Sequence, residues 1–160
     1  MIFVILGTQK FQQNRLLRLL DGHVADGKIK DEIVAQTGFS DYTVQHFTCY
    51  DFLDKEDFDS YIDRADVVIT HGGVGSITKA LQKKKPVIVF PRMEKYHEHV
   101  DDHQMEIAHA FAEKGYVLFC GETDDLPALC DKARSVSFSE YISQTDRVVN
   151  LIEDFLGGLE

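Results

Sequence analysis

A run of ten residues, Val67-Val68-Ile69-Thr70-His71-Gly72-Gly73-Val74-Gly75-Ser76, holds the densest chemistry in this sequence. Its β-branched half suits a buried strand, its glycines a tight turn, and Ser76 the opening of a helix. Glycines let the backbone approach a ligand closely, and the free N–H groups and positive dipole end of a helix attract an anion. A diphosphate fits such a place. His71 at the strand end and Ser76 in the first helical turn can each donate a hydrogen bond to a phosphate oxygen. The same residues also suit a plain strand-to-helix turn capped by Ser76, and they are not the G-x-G-x-x-G of dinucleotide binding. Gly7-Thr8, after the first apolar run, offers a second backbone-and-hydroxyl pocket on the same sheet edge, or simply another turn.

A second polar constellation is Tyr96-His97-Glu98-His99-Val100-Asp101-Asp102-His103-Gln104. Its histidines His97, His99 and His103, with three acids among them, invite a site for metal-assisted hydrolysis. The amide of Gln104 suits hydroxyls instead, and His103 with Gln104 near a helix N-terminus would bind a sugar through paired donors and acceptors. A solvated loop with Asp101 or Asp102 as N-cap accounts for the same residues.

These residues need a scaffold, and short β-rich runs alternating with helical patterns supply one: a parallel sheet covered by helices on both faces. Strands are expected over residues 2–6, 42–47, 66–70, 86–90 and 116–119. Helices are expected over 11–20, continuing through 29–37 to a stop at Gly38, then from Asp54 as N-cap through 64, from Ser76 to 82, over 101–114, over 124–134 and over 144–156. Residues 91–100 read as a loop at the carboxyl edge of the sheet, where functional loops gather. The last helix repeats Val148, Val149, Ile152 and Phe155 at helical spacing, suited to its own core or to a partner.

The 160 residues fit one domain spanning 1–160, and 44% hydrophobic with 28% charged residues is the balance of a globular chain. A net charge of −10 opposes any general role on nucleic acid or anionic lipid, so a bound phosphate must be held locally. Cys49, Cys120 and Cys130 form no Cys-x-x-Cys pair, which favours a reducing cytoplasm over a disulfide framework. The apolar start Met1-Ile2-Phe3-Val4-Ile5-Leu6 stops at Gly7 without a basic region and reads as a strand, not a signal peptide.

Taken in order, Gly7-Thr8, then Ala65-Asp66-Val67-Val68-Ile69-Thr70-His71-Gly72-Gly73-Val74-Gly75-Ser76, then Lys85-Pro86-Val87-Ile88-Val89-Phe90-Pro91-Arg92, then His99-Val100-Asp101-Asp102-His103-Gln104, the sequence resembles the C-terminal domain of glycosyltransferase family 28 over nearly its whole length. It looks closest to the small stand-alone members, such as bacterial exopolysaccharide and capsule subunits and the eukaryotic subunit of the dolichol-linked N-acetylglucosamine transferase. The resemblance implies a single Rossmann-like α/β domain with a parallel sheet, equivalent to the C-terminal half of a GT-B glycosyltransferase. It implies a uridine diphosphate sugar as donor substrate, no cofactor, inversion at the anomeric carbon and no obligatory metal. It also implies a membrane-anchored acceptor-binding partner that recruits the chain to the inner face of the membrane, and a lipid-linked or polysaccharide acceptor; a homodimer of the isolated chain would hide the same surface that a partner would use. Carried over by position, His71, Gly72, Gly73, Gly75 and Ser76 would hold the diphosphate with Gly7 and Thr8 beside it. His103 and Gln104 would contact the sugar, and Arg92 the uracil or ribose. One position departs: the family usually places a glutamate three residues after the hydroxyl residue to receive the ribose hydroxyls, and this chain has Lys79, which cannot accept them. Either Lys79 contacts phosphate or ribose differently as part of the donor site, or nucleotide affinity and specificity have changed.

Overall fold

Strand β1 (Ile2–Ile5) is buried along its whole length, and in the computed structural model, which describes residues 1–142, it is the axis on which the sheet is built. Helix α1 (Asn14–Ala25), β2 (Ile33–Gln36), β3 (Thr48–Tyr50), α2 (Lys55–Arg64), β4 (Val67–Thr70) and α3 (Val74–Gln82) follow. Then come β5 (Val87–Val89), a single 3-10 turn (Glu94–Tyr96), α4 (His103–Glu113), β6 (Leu118–Phe119) and α5 (Leu126–Ser135). Among the described residues the strands form one six-stranded sheet in the order β3-β2-β1-β4-β5-β6, every pairing parallel. The order reverses between β1 and β4, and an open α/β sheet leaves a crevice beyond the carboxyl ends of the strands at such a point.

Alternation along β1 divides the core in two. Ile2, Val4 and Leu6 face α1 and α5, packing with Leu16, Leu17, Leu20, Leu126 and Cys130. Phe3 and Ile5 face the other way, onto Ile62 of α2, Ile77, Ala80 and Leu81 of α3, and Ala108 of α4. Each such apolar side chain removed from water contributes about 1.5–3 kcal/mol. Asp54 caps α2 by accepting from the Asp57 N–H, as its position before that helix predicts.

Two expected elements are corrected. Residues 29–37 do not continue α1: the helix ends at Ala25, Gly27 turns the chain at φ +68, and Ile33–Gln36 is β2. These four buried residues, three apolar and Gln36, are too few for periodicity to separate strand from helix, and the helix stop lies at Asp26-Gly27, not Gly38. Residues 42–47 are not a strand. Tyr42, Val44 and Phe47 do pack against the core, which is the source of the alternation, but β3 begins only at Thr48. The helix expected over 144–156, with Val148, Val149, Ile152 and Phe155, lies outside the described residues.

What organises residues 42–46 is Asp21, a buried carboxylate on α1. It accepts from the Tyr42 hydroxyl at 2.9 Å, the Gln45 and His46 N–H groups at 3.1 and 2.9 Å, and lies 3.0 Å from His46 Nδ1. Burial alone would raise its pKa, but these donors outweigh burial and hold it below the usual carboxylate value. Asp21→Ala strands those donors and is expected to destabilise the fold by about 2 kcal/mol in urea unfolding, a loss below about 0.5 kcal/mol counting against this role.

Candidate functional site

Helix α3 starts at Val74, two residues before Ser76, with Gly73 as its N-cap and no side chain capping it. Ser76 is therefore a first-turn residue and not the cap. The amides of a first helical turn have no partner within the helix, so the uncapped end of α3 keeps donors and positive dipole for a ligand. They open onto a cleft of about 470 Å³ at the crevice between β1 and β4. Gly7, Thr8 and Gln9 from the β1–α1 loop, His71 to Ser76, and His99, His103, Gln104 and Ile107 line it. Nine of the eleven residues expected from sequence thus meet in one place: Gly7, Thr8, His71, Gly72, Gly73, Gly75, Ser76, His103 and Gln104. Gln9, Val74, His99 and Ile107 are additions. His99 lies within the second constellation, whereas Gln9 carried no signal beyond following Gly7-Thr8.

His71 sets the shape of this cleft. Its ring is 6% exposed, with Nδ1 3.2 Å from the Ile5 carbonyl and 3.3 Å from the Thr70 hydroxyl. The other edge of the ring lies between two glycines: a Cβ on Gly7 would stand 2.7 Å from Nε2, and a Cβ on Gly73 would collide with the same atom. A Cβ on Gly72 would meet the Gln104 carbonyl oxygen at 2.5 Å and its Cα at 2.9 Å. Three glycines that the sequence suggested for ligand approach are thus required by packing against His71 and Gln104. Only Gly75 of this group has open space where a Cβ would stand. Burial, with the Arg92 charge second, pushes the His71 pKa down to about 4, so the ring is neutral at neutral pH.

Gln104 is also buried, and its Oε1 accepts from the Gly72 N–H at 3.2 Å and faces the Arg92 N–H at 3.4 Å. Both neighbours are donors, which fixes the amide's orientation and leaves its NH2 to a ligand. The paired donor and acceptor expected from sequence is reduced to a donor. His103 is exposed, with Nδ1 3.1 Å from Glu106, and His99 Nδ1 lies 2.9 Å from Asp101. Asp101 also accepts from the His103 N–H at 3.1 Å.

Two expected site residues lie elsewhere. Arg92 is wholly buried; its Nη2 donates to the carbonyls of Leu6 at 2.6 Å and Phe11 at 2.9 Å, so it clamps the loop that carries Gly7 and Thr8 and does not line the cleft. Lys79 turns outward to Asp59 at 2.8 Å, with its ammonium 4.2 Å from the Phe58 ring centroid. Among the described residues no group of three or more His, Cys, Asp and Glu side chains is arranged to hold a metal ion. Glu98 is fully buried against Arg15, which donates to both its oxygens at 3.1 and 2.8 Å, a pairing that sequence order did not reveal. Burial pushes the Cys120 and Cys130 thiols up to about 12, so neither is a thiolate nucleophile near neutral pH. No helix among the described residues is long and apolar enough to cross a membrane.

A profile of the glycosyltransferase family 28 C-terminal domain matches residues 1–147. The chain is 33% identical over 115 residues to the UDP-N-acetylglucosamine transferase subunit ALG13 of Candida glabrata, covering 71% of this chain and 54% of that one. It is 42% identical over 62 residues to the same subunit of Saccharomyces cerevisiae, covering 39% and 29%. The chain thus spans about half the length, or less, of these curated relatives. In fold it is similar to Acinetobacter baumannii MurG, with TM-score 0.60 at 18% identity over 95% of this chain and 49% of that one. The glycotransferase of kitacinnamycin gives TM-score 0.62 at 18% identity, covering 84% and 35%.

Two outcomes follow from this geometry. A histidine whose pKa is depressed by folding binds its proton more readily when unfolded, so its contribution is present above the unfolded value of 6.5 and is lost as pH falls toward the folded value of about 4. Lowering the pH across that window should remove up to about 3 kcal/mol through His71, and His71→Asn should flatten that part of the stability profile; an unchanged profile would refute the burial argument. Gly72→Ala, which drives a methyl into backbone, should destabilise by about 2 kcal/mol, whereas Gly75→Ala in an open helical position should be neutral or add up to about 1 kcal/mol. Equal losses in thermal unfolding would show that the turn has been misjudged.

Proposed function

Because the chain belongs to glycosyltransferase family 28 through that C-terminal domain, we propose that it is the donor-binding subunit of a two-part inverting glycosyltransferase that draws on a UDP-sugar. In this reading a membrane-anchored subunit binds a lipid-linked or polysaccharide acceptor and brings the chain to the cytoplasmic face of the membrane. The observation that carries the proposal is the open cleft in front of the uncapped α3 N-terminus.

The work assigned to the cleft is leaving-group stabilisation. As the bond between sugar and diphosphate breaks, charge accumulates on the diphosphate, and fixed amides at a helix N-terminus receive it without reorganising. Ser76 adds a hydroxyl from the first turn, and the Gln104 NH2 and His103 stand where the sugar would lie. Among the described residues, the cleft is lined by no Asp or Glu, so a carboxylate base for the acceptor hydroxyl belongs to the partner.

Lys79 favours a second reading, in which the fold is kept as a non-catalytic nucleotide- or partner-binding module. A lysine stands where the resemblance expects a ribose-binding glutamate, and it is held by Asp59 outside the cleft. Calorimetric titration of the chain with UDP, alone and with its partner, tests the proposal, and sugar transfer by the complex separates the two readings. Ser76→Ala should weaken UDP binding about ten- to hundredfold, the loss of one charge-assisted hydrogen bond. Lys79→Ala should change it less than about twofold, since the ammonium is spent on a surface pair. No UDP binding in either state overturns the first reading and leaves of the second only a partner-binding module; binding without transfer by the complex leaves the second.

A further inference from the structure

The cleft is unusual for a diphosphate site in its charges. Among the described residues that line it there is no lysine or arginine. Arg92 is buried behind the wall and bound to main-chain carbonyls, Lys79 is paired with Asp59, and the chain as a whole carries −10. What does face the cleft is three imidazoles, His71, His99 and His103.

Hydrogen bonding fixes where their protons are. The Thr70 hydroxyl donates to the Ile5 carbonyl at 3.0 Å, so toward His71 Nδ1, at 3.3 Å, it can only accept. The Ile5 carbonyl, 3.2 Å from the same nitrogen, is an acceptor as well. The proton of neutral His71 therefore sits on Nδ1, and Nε2, on the edge held between Gly7 and Gly73, carries a lone pair. His99 and His103 repeat the arrangement, each with Nδ1 against a carboxylate, Asp101 and Glu106 respectively. A phosphate oxygen offers only lone pairs. For any of these rings to hydrogen-bond it through Nε2, a second proton must arrive.

We propose that the cleft balances the charge of a nucleotide-sugar diphosphate with the imidazoles of His71, His99 and His103 in place of a lysine or arginine, so that loading the donor takes up protons from solvent. The inference rests on the donor-binding reading above. Each proton passes from water or buffer to an Nε2, and no bond of the ligand changes. The groups around His71 set the balance. Arg92 at the end of β5 and His99 on the loop after it oppose the second proton, and the Ile5 carbonyl of β1 favours it. His103, paired with Glu106, stands across the cleft on α4, while neither α3 nor the Gly7 loop lends a charged side chain to the lining. In the free protein burial and the Arg92 charge keep His71 neutral, and an arriving diphosphate supplies the opposite charge that reverses this preference.

The test is calorimetric titration of the intact chain with UDP-glucose, UDP-galactose, UDP-N-acetylglucosamine and UDP-glucuronic acid between pH 5.5 and 8.5, repeated in buffers of different ionisation enthalpy. UDP-sugars are the right probes because their diphosphate, esterified at both ends, does not titrate near neutrality as that of UDP does. Net proton uptake is expected, with affinity falling about three- to tenfold per pH unit above neutrality, and a smaller proton count in His71→Asn, or in His99→Asn and His103→Asn should the first variant not fold. Binding with no proton exchange and no pH dependence overturns the inference and leaves the donor reading standing, since His71 would then have exchanged tautomers as Thr70 rotated. If none of the four sugars binds at any pH, the donor reading itself is lost.

Discussion

The seating of one imidazole between two glycines governs the rest of the cleft. His71 is anchored by Nδ1 to the Ile5 carbonyl, and the opposite edge of its ring fills the room that side chains at positions 7 and 73 would need. The β1–α1 loop and the β4–α3 turn can then approach each other closely at the point where the strand order reverses. The tight turn has a second effect. With glycine at the N-cap, α3 begins without a side-chain acceptor over its first amides, and a helix end left in that state favours an anion. Packing of the ring and exposure of the amides are one constraint seen from two sides.

How legible this was in the sequence depended on whether the cause was local. Strand β4, its glycine turn, the Asp54 cap of α2 and the amphipathic α5 follow from residues a few positions apart, and they were read with small shifts of boundary. Seven of the nine cleft residues were legible because they follow the carboxyl ends of β1 and β4, which a parallel sheet brings together, while His103 and Gln104 were legible as polar residues opening a helix. Errors arose where a distant partner decides. Residues 42–47 alternate as a strand would, yet their backbone groups are claimed by Asp21, more than twenty positions earlier. Arg92 looks like a ligand contact until Leu6 and Phe11 are seen to take its guanidinium, and Lys79 until Asp59 is seen beside it. Residue type announced charge in both cases, but direction came from tertiary contact. Residues 29–37 failed for another reason: the buried run Ile33-Val34-Ala35-Gln36 is too short to carry a period by which to choose.

The segment between β5 and α4 has only one 3-10 turn, yet two fully buried charged side chains anchor it. Arg92 points inward to the β1–α1 loop, and Glu98 to Arg15, whose guanidinium lies 4.3 Å above the Phe90 ring centroid and 4.7 Å from that of Tyr96. Burying charge is costly unless it is paired and hydrogen-bonded, and Glu98 meets that condition with Arg15 and the Met93 N–H. Arg92 meets it less fully: its Nε and Nη1 are buried without partners among the described residues, and burial lowers its pKa to about 10. A stability argument alone would put an apolar residue there. The hold that Arg92 keeps on the Gly7 loop through Leu6 and Phe11 accounts for a donor there, and in the proposed donor-binding role its charge would also favour an anion.

In the donor-binding reading, that potential bears on how the work of transfer is divided between the chain and its proposed partner. A complete transferase must both receive charge on the departing diphosphate and withdraw a proton from the acceptor hydroxyl, and the two tasks want opposite surroundings. Amides and a buried guanidinium both raise the local positive potential. A carboxylate base placed among them would have its pKa lowered and its affinity for a proton weakened. In the proposed two-part enzyme, a base kept on the partner would leave each half its own charge environment until the two meet. Among the described residues, no Asp or Glu lines the cleft that the proposed donor role would use.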